Sequence, residues 1–312
     1  MSLASTEAYR RHRIHGEDRT WAETNCYTDL LVELVHALGH EPIAMLPFTL
    51  AIDFEGDQWT FFKPSHADIA ALYGLDIQEL AIWRPVIEHV EEQVAVGRPV
   101  LVELDSFYLP DTAGTAYKLV HQKTTVGVTE IDVAAGRMGY FHNQGFYSLD
   151  GEDFQRIVDI RGPPPYVELV KKVPDFVAPD LVETSLAMLR PHLARAPRDN
   201  PFVRFKARFA RDLEQLLAAD IEQFHKYSFA TLRQYGACFE LAETYLRWLG
   251  DNGVAGLEVS ASAFQQISQT AKAFQFQLAR SMARKKPLDL APLDAMGAQW
   301  EVGMTLLRSR YG

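Results

Sequence analysis

Cys26, His121 and Asn143 are the residues of this chain whose types and order best fit covalent catalysis. Acyl transfer by a cysteine needs a thiolate, a base that activates the thiol and later moves a proton, and a group that orients the base. Cys26 supplies the thiol, His121 the imidazole, and Asn143 a side-chain oxygen that can accept from one imidazole nitrogen. The sequence therefore predicts a Cys26–His121–Asn143 catalytic site.

Cys26 lies where a predicted helix begins. From Tyr27 onward the apolar residues recur at helical spacing, and Gly39 ends the pattern. Either Thr24 or Asn25 can cap this helix. The first turn of a helix carries unpaired backbone N–H groups and the positive end of the helix dipole, so a thiol placed there is favoured as a nucleophilic thiolate.

The same helix start offers donors for the oxyanion of a tetrahedral intermediate. The backbone N–H of Cys26 is one, and a second donor is expected just upstream. Asn25 could supply its side-chain amide or act only as the helix cap, and Thr24 is the other candidate. Asp29, one turn into the helix, would oppose a thiolate if it pointed inward, so we expect it to face away.

A hairpin is expected to bring the base and its orienting residue together. His121 stands at the start of the predicted strand 120–131, and Asn143 follows the next predicted strand, 138–142. Because side chains alternate along a strand, His142 is expected on the opposite face from Asn143. His142 is a further candidate for substrate contact, and its other interpretation is a surface residue.

The loop before His121 contains the remaining site candidates. A buried strand is predicted over residues 99–104, and Asp105 and Asp111 follow it. These carboxylates could hold the amine of an aminoacyl group or a cationic acceptor, or they could cap the loop. Tyr108 lies between them and is a further candidate for substrate contact.

Composition limits the class of protein. The chain has 312 residues, 47% hydrophobic and 23% charged, which is ordinary for a globular protein of one large or two modest domains. The net charge of −10 argues against general nucleic-acid binding. The two cysteines, the polar N-terminus and the lack of a long apolar run predict a cytoplasmic protein without a membrane span. We expect no bound metal or cofactor. No nucleotide fingerprint is evident, and His36 and His40, which are four apart, are separated by Gly39 and have no third ligand spaced nearby.

The sequence changes character near residue 175, which predicts two domains, 1–175 and 176–312. The first part alternates short apolar runs with turns, including a predicted hairpin over 43–54 and 58–62 and a last strand over 166–170. The second part is almost purely helical in its periodicity and predicts a bundle of four or five helices, one of them continuous from 221 to 249. The fold class expected is α+β followed by an all-α bundle.

Four stretches carry a resemblance to a known family: Asn25–Tyr27, Gly97–Asp111, Tyr117–His121 and Gly139–Asn143. Together they resemble the papain-like cysteine acyltransferase and peptidase superfamily, and most of all the branch that contains the butirosin-pathway acyltransferase and the bacteriocin-processing peptidases. The resemblance covers residues 20–170 and implies a papain-like domain, with the cysteine helix packed on an antiparallel sheet and the pair Cys26 and His121 as nucleophile and base.

The pattern also resembles a bacterial family encoded near amino acid:carrier-protein ligases. That likeness implies that an aminoacyl group arrives as a thioester on the phosphopantetheine of a small carrier protein and passes through an acyl-Cys26 intermediate to an amine or hydroxyl acceptor. Two basic segments, 204–211 and 280–286, could dock an acidic carrier or could be solvated helix faces.

One departure bears on the reaction. The peptidases of that branch have Gly-His followed by β-branched residues, whereas Leu119 and Val120 precede His121 here and Gln122 follows it. This departure argues against proteolysis. The alternatives are a cysteine amidase or peptidase that uses the same residues with water as acceptor, and a non-catalytic scaffold that binds a carrier protein.

Overall fold

The computed structural model describes residues 9–160 and 163–312. Residues 1–8, which contribute to the expectation about export, lie outside the described residues. The described residues form two compact units: a sheet unit (9–16, 25–42, 65–160 and 163–178) and a helical unit (17–24, 43–64 and 179–312). The last break between the units, at 178/179, lies close to the boundary predicted from sequence, but segments 17–24 and 43–64 belong to the helical unit rather than to the first domain.

Helices and strands are numbered in chain order. The helices are α1 (Cys26–Ala37), α2 (His66–Tyr73), α3 (Val86–Ala95), α4 (Gly151–Val158), α5 (Leu181–Arg195), α6 (Pro201–Ala218), α7 (Ile221–Ser228), α8 (Gln234–Asp251), α9 (Glu258–Arg284) and α10 (Ala291–Tyr311). The strands are β1 (Phe54–Glu55), β2 (Gln58–Trp59), β3 (Leu75–Glu79), β4 (Val100–Asp105), β5 (Lys123–Asp132), β6 (Arg137–His142), β7 (Gly145–Asp150) and β8 (Val167–Lys172).

The sheet unit is built on one six-stranded sheet with the order β3-β8-β4-β5-β6-β7. Every neighbouring pair in it is antiparallel. The largest segment of the helical unit, 179–312, follows the sheet in sequence, so the α+β fold class is confirmed, as is the predicted pairing of β5 with β6. The strand predicted at 99–104 is β4, and it lies in the interior of the sheet.

The two faces of this sheet carry different helices. Val100 and Val102 of β4 belong to a buried apolar cluster with Val86 and Val90 of α3. Leu101, the residue between them, points to the other face, because side chains alternate along a strand. Helix α1 packs on that second face, which we call the α1 face.

A glycine lets α1 approach the sheet closely. A Cβ atom on Gly127 of β5 would lie 2.6 Å from Leu30 Cδ1 and 3.4 Å from Leu101 Cδ2. Gly127 and Leu101 are cross-strand partners. A side chain at this position would therefore require Leu30 to move, whereas glycine lets the helix that begins at Cys26 pack on the sheet without that change.

The predicted strand over 43–54 is wrong. Residues Pro42–Ala51 form a 3-10 helix, and only the short pair β1 and β2 remains of the expected hairpin. Pro47 lies inside the segment and lacks the N–H that a strand ladder requires. The run is apolar because it is buried throughout, from Ile43 to Leu50, and not because it is a strand.

The helical unit contains α5 to α10, so the helical character predicted for the second part is confirmed for the described residues, with six helices in place of the four or five expected. The helix predicted over 221–249 is interrupted, because Phe229–Arg233 forms a π-helical turn between α7 and α8. Cys238 is fully buried in α8, and its thiol donates to the carbonyl of Thr49 at 3.3 Å. Burial raises the pKa of Cys238 well above its usual value. Across the described ranges, no helix is both long and apolar enough to cross a bilayer.

Candidate active site

Cys26 is the first residue of α1 and is half-buried, without a disulfide. Asn25 caps the helix: its backbone is extended, and its Oδ1 accepts from the Thr28 N–H at 2.9 Å. Since Oδ1 serves the cap, any contribution of Asn25 to an oxyanion site involves its Nδ2 atom. As the first helical residue, Cys26 presents a backbone N–H that has no intrahelical acceptor. Thr24, the other cap candidate, is buried.

His121 forms a dyad with Asp105. Its Nδ1–H donates to Asp105 Oδ2 at 2.6 Å. This bond leaves the lone pair of Nε2 on the outer side of the ring, and the side chain is 65% exposed. A carboxylate that holds one imidazole nitrogen and leaves the other free is the arrangement that a general base requires.

The loop between β4 and β5 fixes this dyad. Asp105 Oδ1 accepts from the Phe107 N–H at 3.0 Å and from the Gln122 N–H at 3.3 Å. Both the backbone N–H and the hydroxyl of Ser106 donate to the Gln122 carbonyl, at 2.9 and 2.8 Å. The Phe107 ring stacks on the imidazole with 4.2 Å between centroids. The dyad is therefore preorganised by backbone contacts on one side and by an aromatic ring on the other.

Alternation along β4 places the dyad on the same sheet face as α1. Asp105 lies four residues beyond Leu101 on the same strand, and the two side chains share a face. Four residues of an extended strand span roughly 13 Å, and this is how far Asp105 lies along β4 from Leu101, where α1 packs on the sheet. Among the described residues, no hydrogen bond joins Cys26 Sγ to the imidazole of His121.

Asn143 does not orient His121 in this structure. It occupies the turn between β6 and β7 with a left-handed φ of 46°, a conformation that Asn tolerates better than most residues. Asp105 accepts from the His121 imidazole, which is the role predicted for Asn143. The reason is the path of the chain: His121 precedes β5 and pairs across to the end of β4, while Asn143 belongs to the hairpin on the other side of β5.

Asp111 and His142 bond to one another and are buried, so a substrate does not reach them. The His142 Nδ1–H donates to Asp111 Oδ2 at 2.6 Å, and the Thr124 hydroxyl bonds to His142 Nε2 at 2.8 Å. Tyr140 donates to Asp111 Oδ1 at 2.5 Å, and burial together with the Asp111 charge raises the pKa of Tyr140. The Asp111 and His142 side chains are only 2% and 1% exposed. This network lies on the α3 side of the sheet and ties the loop at 110–112 to the strands.

We expect Asp111→Asn to lower the free energy of unfolding by about 1–3 kcal/mol, because a buried partner of Tyr140 and His142 loses its charge. Urea denaturation measures the change, and Asp150→Asn is the control, since Asp150 is exposed and makes no capping bond. An Asp111→Asn protein as stable as the control would show that the network contributes nothing to the fold.

Tyr108 lies beside the dyad. Its ring meets the His121 ring at 6.2 Å between centroids, edge to face, and the Lys118 ammonium lies 5.0 Å from the Tyr108 ring centre. Lys118 also pairs with Asp153, which holds the loop against α4. The position of Tyr108 is therefore compatible with the substrate contact expected from sequence.

A buried carboxylate, Glu168, lies near the start of α1 and was not predicted from the sequence. Glu168 of β8 is fully buried, and it accepts from Tyr27 at 2.7 Å and from Tyr166 at 2.8 Å, with His66 Nε2 at 3.3 Å. Burial and Glu168 raise the pKa of Tyr27, and the same two causes raise the pKa of Tyr166 to about 12. One signal was available: Glu168 is a lone charge within the otherwise apolar run 167–170. These bonds anchor the residue next to Cys26.

Asp29, one turn into α1, is buried and bonds to His15. The side chains of Asp29, Glu33 and His15 are 1%, 0% and 1% exposed. His15 donates from Nε2 to Asp29 at 3.2 Å and from Nδ1 to Glu33. Burial alone would lower the pKa of His15, but the hydrogen bonds and charges of the two carboxylates raise it to about 9. The imidazolium therefore offsets negative charge one turn from Cys26.

Within residues 9–160 and 163–312, no three His, Cys, Asp or Glu side chains are grouped so as to hold a metal ion. Residues 10–172 match the DUF1839 N-terminal domain, and residues 178–309 match the DUF1839 C-terminal domain. The chain belongs to the DUF1839 family. No curated protein matches it.

Proposed function

We propose that this protein is a cysteine-dependent acyltransferase that moves an aminoacyl group from a carrier-protein phosphopantetheine thioester to an amine or hydroxyl acceptor. Cys26 is the nucleophile, His121 the base, and Asp105 takes the orienting role first predicted for Asn143. The observation that carries the proposal is the Asp105–His121 dyad on the sheet face where α1 begins with Cys26. The papain-like relationship is part of the same proposal and rests on the sequence stretches that resemble that superfamily.

In the first half-reaction the Cys26 thiolate attacks the thioester carbonyl, and the tetrahedral oxyanion is met by the Cys26 backbone N–H. The carbon–sulfur bond to phosphopantetheine breaks, and the His121 imidazolium gives its proton to the departing thiolate. In the second half-reaction the acceptor attacks acyl-Cys26 while His121 removes its proton, and the Cys26 thiolate leaves. The first half-reaction converts one thioester into another, so the two sides are close in free energy. The enzyme therefore needs only to position the donor and to activate the thiol.

Exposed apolar side chains beside the dyad suit a macromolecular donor. Leu119 and Val120, directly before His121, are 67% and 48% exposed. Such side chains at the rim of a site favour contact with a partner or with the pantetheine arm.

Of the two basic segments considered for docking the carrier, the first is largely used within the chain. Arg204 pairs with Asp53, Lys206 with Asp294 and Arg208 with Asp212. The second segment keeps Arg280, Arg284 and Lys286 exposed. We therefore assign carrier attraction to the second segment.

Alkylation by iodoacetamide tests the activated thiol. We expect Cys26 to react faster at pH 7 than a cysteine in an unstructured peptide, and Asp105→Ala to slow it at least about tenfold, because His121 loses its orienting partner. Asn143→Ala is the matched control and is expected to change the rate less than twofold. Peptide mapping assigns the label to Cys26, and buried Cys238 is expected to stay unlabelled in the folded protein.

If Asn143→Ala slowed alkylation of Cys26 and Asp105→Ala did not, Asn143 would be the residue that orients His121. A Cys26 that reacts no faster than the peptide would favour the non-catalytic scaffold. Turnover of a small aminoacyl thioester with water alone, equally fast without an acceptor amine, would favour the hydrolase.

A further inference from the structure

The helical unit contains a polar pocket that the proposed chemistry does not use. Its volume is about 300 Å³, and it is formed by α6, α7, the π-helical turn and the turn between β1 and β2. Its polar lining includes Asp57, Gln58, Arg208, Asp212, Gln223 and Tyr227, and Leu216 and Thr231 are its buried parts. A volume of this size admits a small molecule rather than a peptide.

The charged groups of the pocket use only some of their hydrogen-bonding atoms in bonds to each other. Arg208 donates from Nε to Asp212 Oδ1 at 2.7 Å, and Tyr227 donates to Asp212 Oδ2 at 3.2 Å. Both oxygens of Asp212 are thereby engaged. Nε carries the only side-chain bond of Arg208 among the described residues, so the two terminal nitrogens of its guanidinium keep their donors for a ligand.

Asp57 supplies the opposite charge. Among the described residues, no side chain bonds to its carboxylate, although it lies close enough to Arg208 to act on it electrostatically. The hydrogen bond and charge of Asp212, with a smaller contribution from Asp57, raise the pKa of Arg208. The pocket therefore presents the terminal nitrogens of a guanidinium and an unbonded carboxylate in its wall.

The π-helical turn contributes to the wall of the pocket. Five residues, Phe229–Arg233, take the wider turn, and Ala230 and Thr231 line the site. The Thr231 hydroxyl donates to the Tyr227 carbonyl at 2.6 Å, which fixes the wall. Single π-turns inserted between α-helical segments are rare and occur often at functional sites.

We propose that this pocket binds a small zwitterionic molecule of the amino-acid class, with its carboxylate on the terminal nitrogens of Arg208 and its ammonium on Asp57. A simple anion would meet Arg208 but face two carboxylates. A simple cation would meet Asp57 but face the guanidinium. A ligand that carries both charges satisfies both groups, and the amides of Gln58 and Gln223 offer further hydrogen bonds at the rim. This proposal does not depend on the acyltransferase proposal.

Isothermal titration calorimetry of the full chain with each of the twenty L-α-amino acids in turn tests this inference. We expect at least one to bind with a Kd below about 1 mM. We expect Arg208→Gln and Asp57→Asn each to weaken it at least tenfold. Arg211→Gln and Glu55→Gln are matched controls, because both residues are exposed neighbours outside the pocket, and their Kd values are expected to stay within twofold.

Two analogues of the best ligand complete the experiment: the amine that lacks its carboxylate and the acid that lacks its ammonium. Each lacks one charge, and each is expected to bind at least tenfold more weakly than the zwitterion. Three results would overturn the proposal: no amino acid binds with a Kd below about 1 mM, either single-charge analogue binds as well as the zwitterion, or the two pocket variants bind like their controls. Cys26→Ser is expected to leave the Kd unchanged, so failure of the catalytic proposal remains distinguishable from failure of this one.

Discussion

Cys26→Ser is expected to abolish the acyl-enzyme. When the wild-type chain is mixed with a carrier protein whose phosphopantetheine is loaded with an amino acid, intact-mass analysis should show an adduct equal to one aminoacyl group. The variant should form it at least on the order of a thousandfold more slowly, because the nucleophile of a covalent mechanism has no substitute in the site.

Two further variants make this result specific. Cys238→Ser should keep the full adduct, since Cys238 is completely buried and cannot meet a donor. His121→Ala should lose most of the rate, with the residual adduct still on Cys26, because the base assists the nucleophile and does not replace it. Absence of an adduct on the wild-type chain, or an unchanged adduct on Cys26→Ser, would sink the acyltransferase proposal.

His15→Gln is expected to lower the free energy of unfolding by about 3–5 kcal/mol, because it leaves Asp29 and Glu33 buried without a compensating positive charge. Urea denaturation at pH 6 measures the loss. His225→Gln is the control: His225 is exposed, and its replacement should change stability by less than about 0.5 kcal/mol.

The stability contributed by His15 also depends on pH. Its pKa is about 9 in the folded protein, against an ordinary value of 6.5. Because the folded value is the higher one, the contribution is complete below pH 6.5 and is lost as the pH rises through 9. The wild-type chain should therefore lose up to about 3 kcal/mol between these limits relative to His15→Gln. Parallel pH curves for the two proteins would contradict a charged His15.

The residues that interact locally could be predicted from the sequence. Helix α1 begins at Cys26 and is capped by Asn25, as its periodicity and polar neighbours indicated. Strands β4, β5 and β6 fall close to their predicted positions, since alternation and turn residues report the local conformation directly. The mistake at Pro42–Ala51 arose because a continuous apolar run reports burial and does not distinguish a strand from a buried 3-10 segment.

Pairs of residues far apart in the chain could not be predicted in this way. The sequence by itself determined where α1 begins, the β5–β6 hairpin and the helical character of residues beyond 178. Only the tertiary structure decided that Asp105, and not Asn143, accepts the hydrogen bond from His121. It also decided that Asp111 bonds to His142 and that Glu168 bonds to Tyr27 at the start of α1. The physical reason is that strand order and register select the partners of a polar side chain, and both are set by packing across the whole sheet.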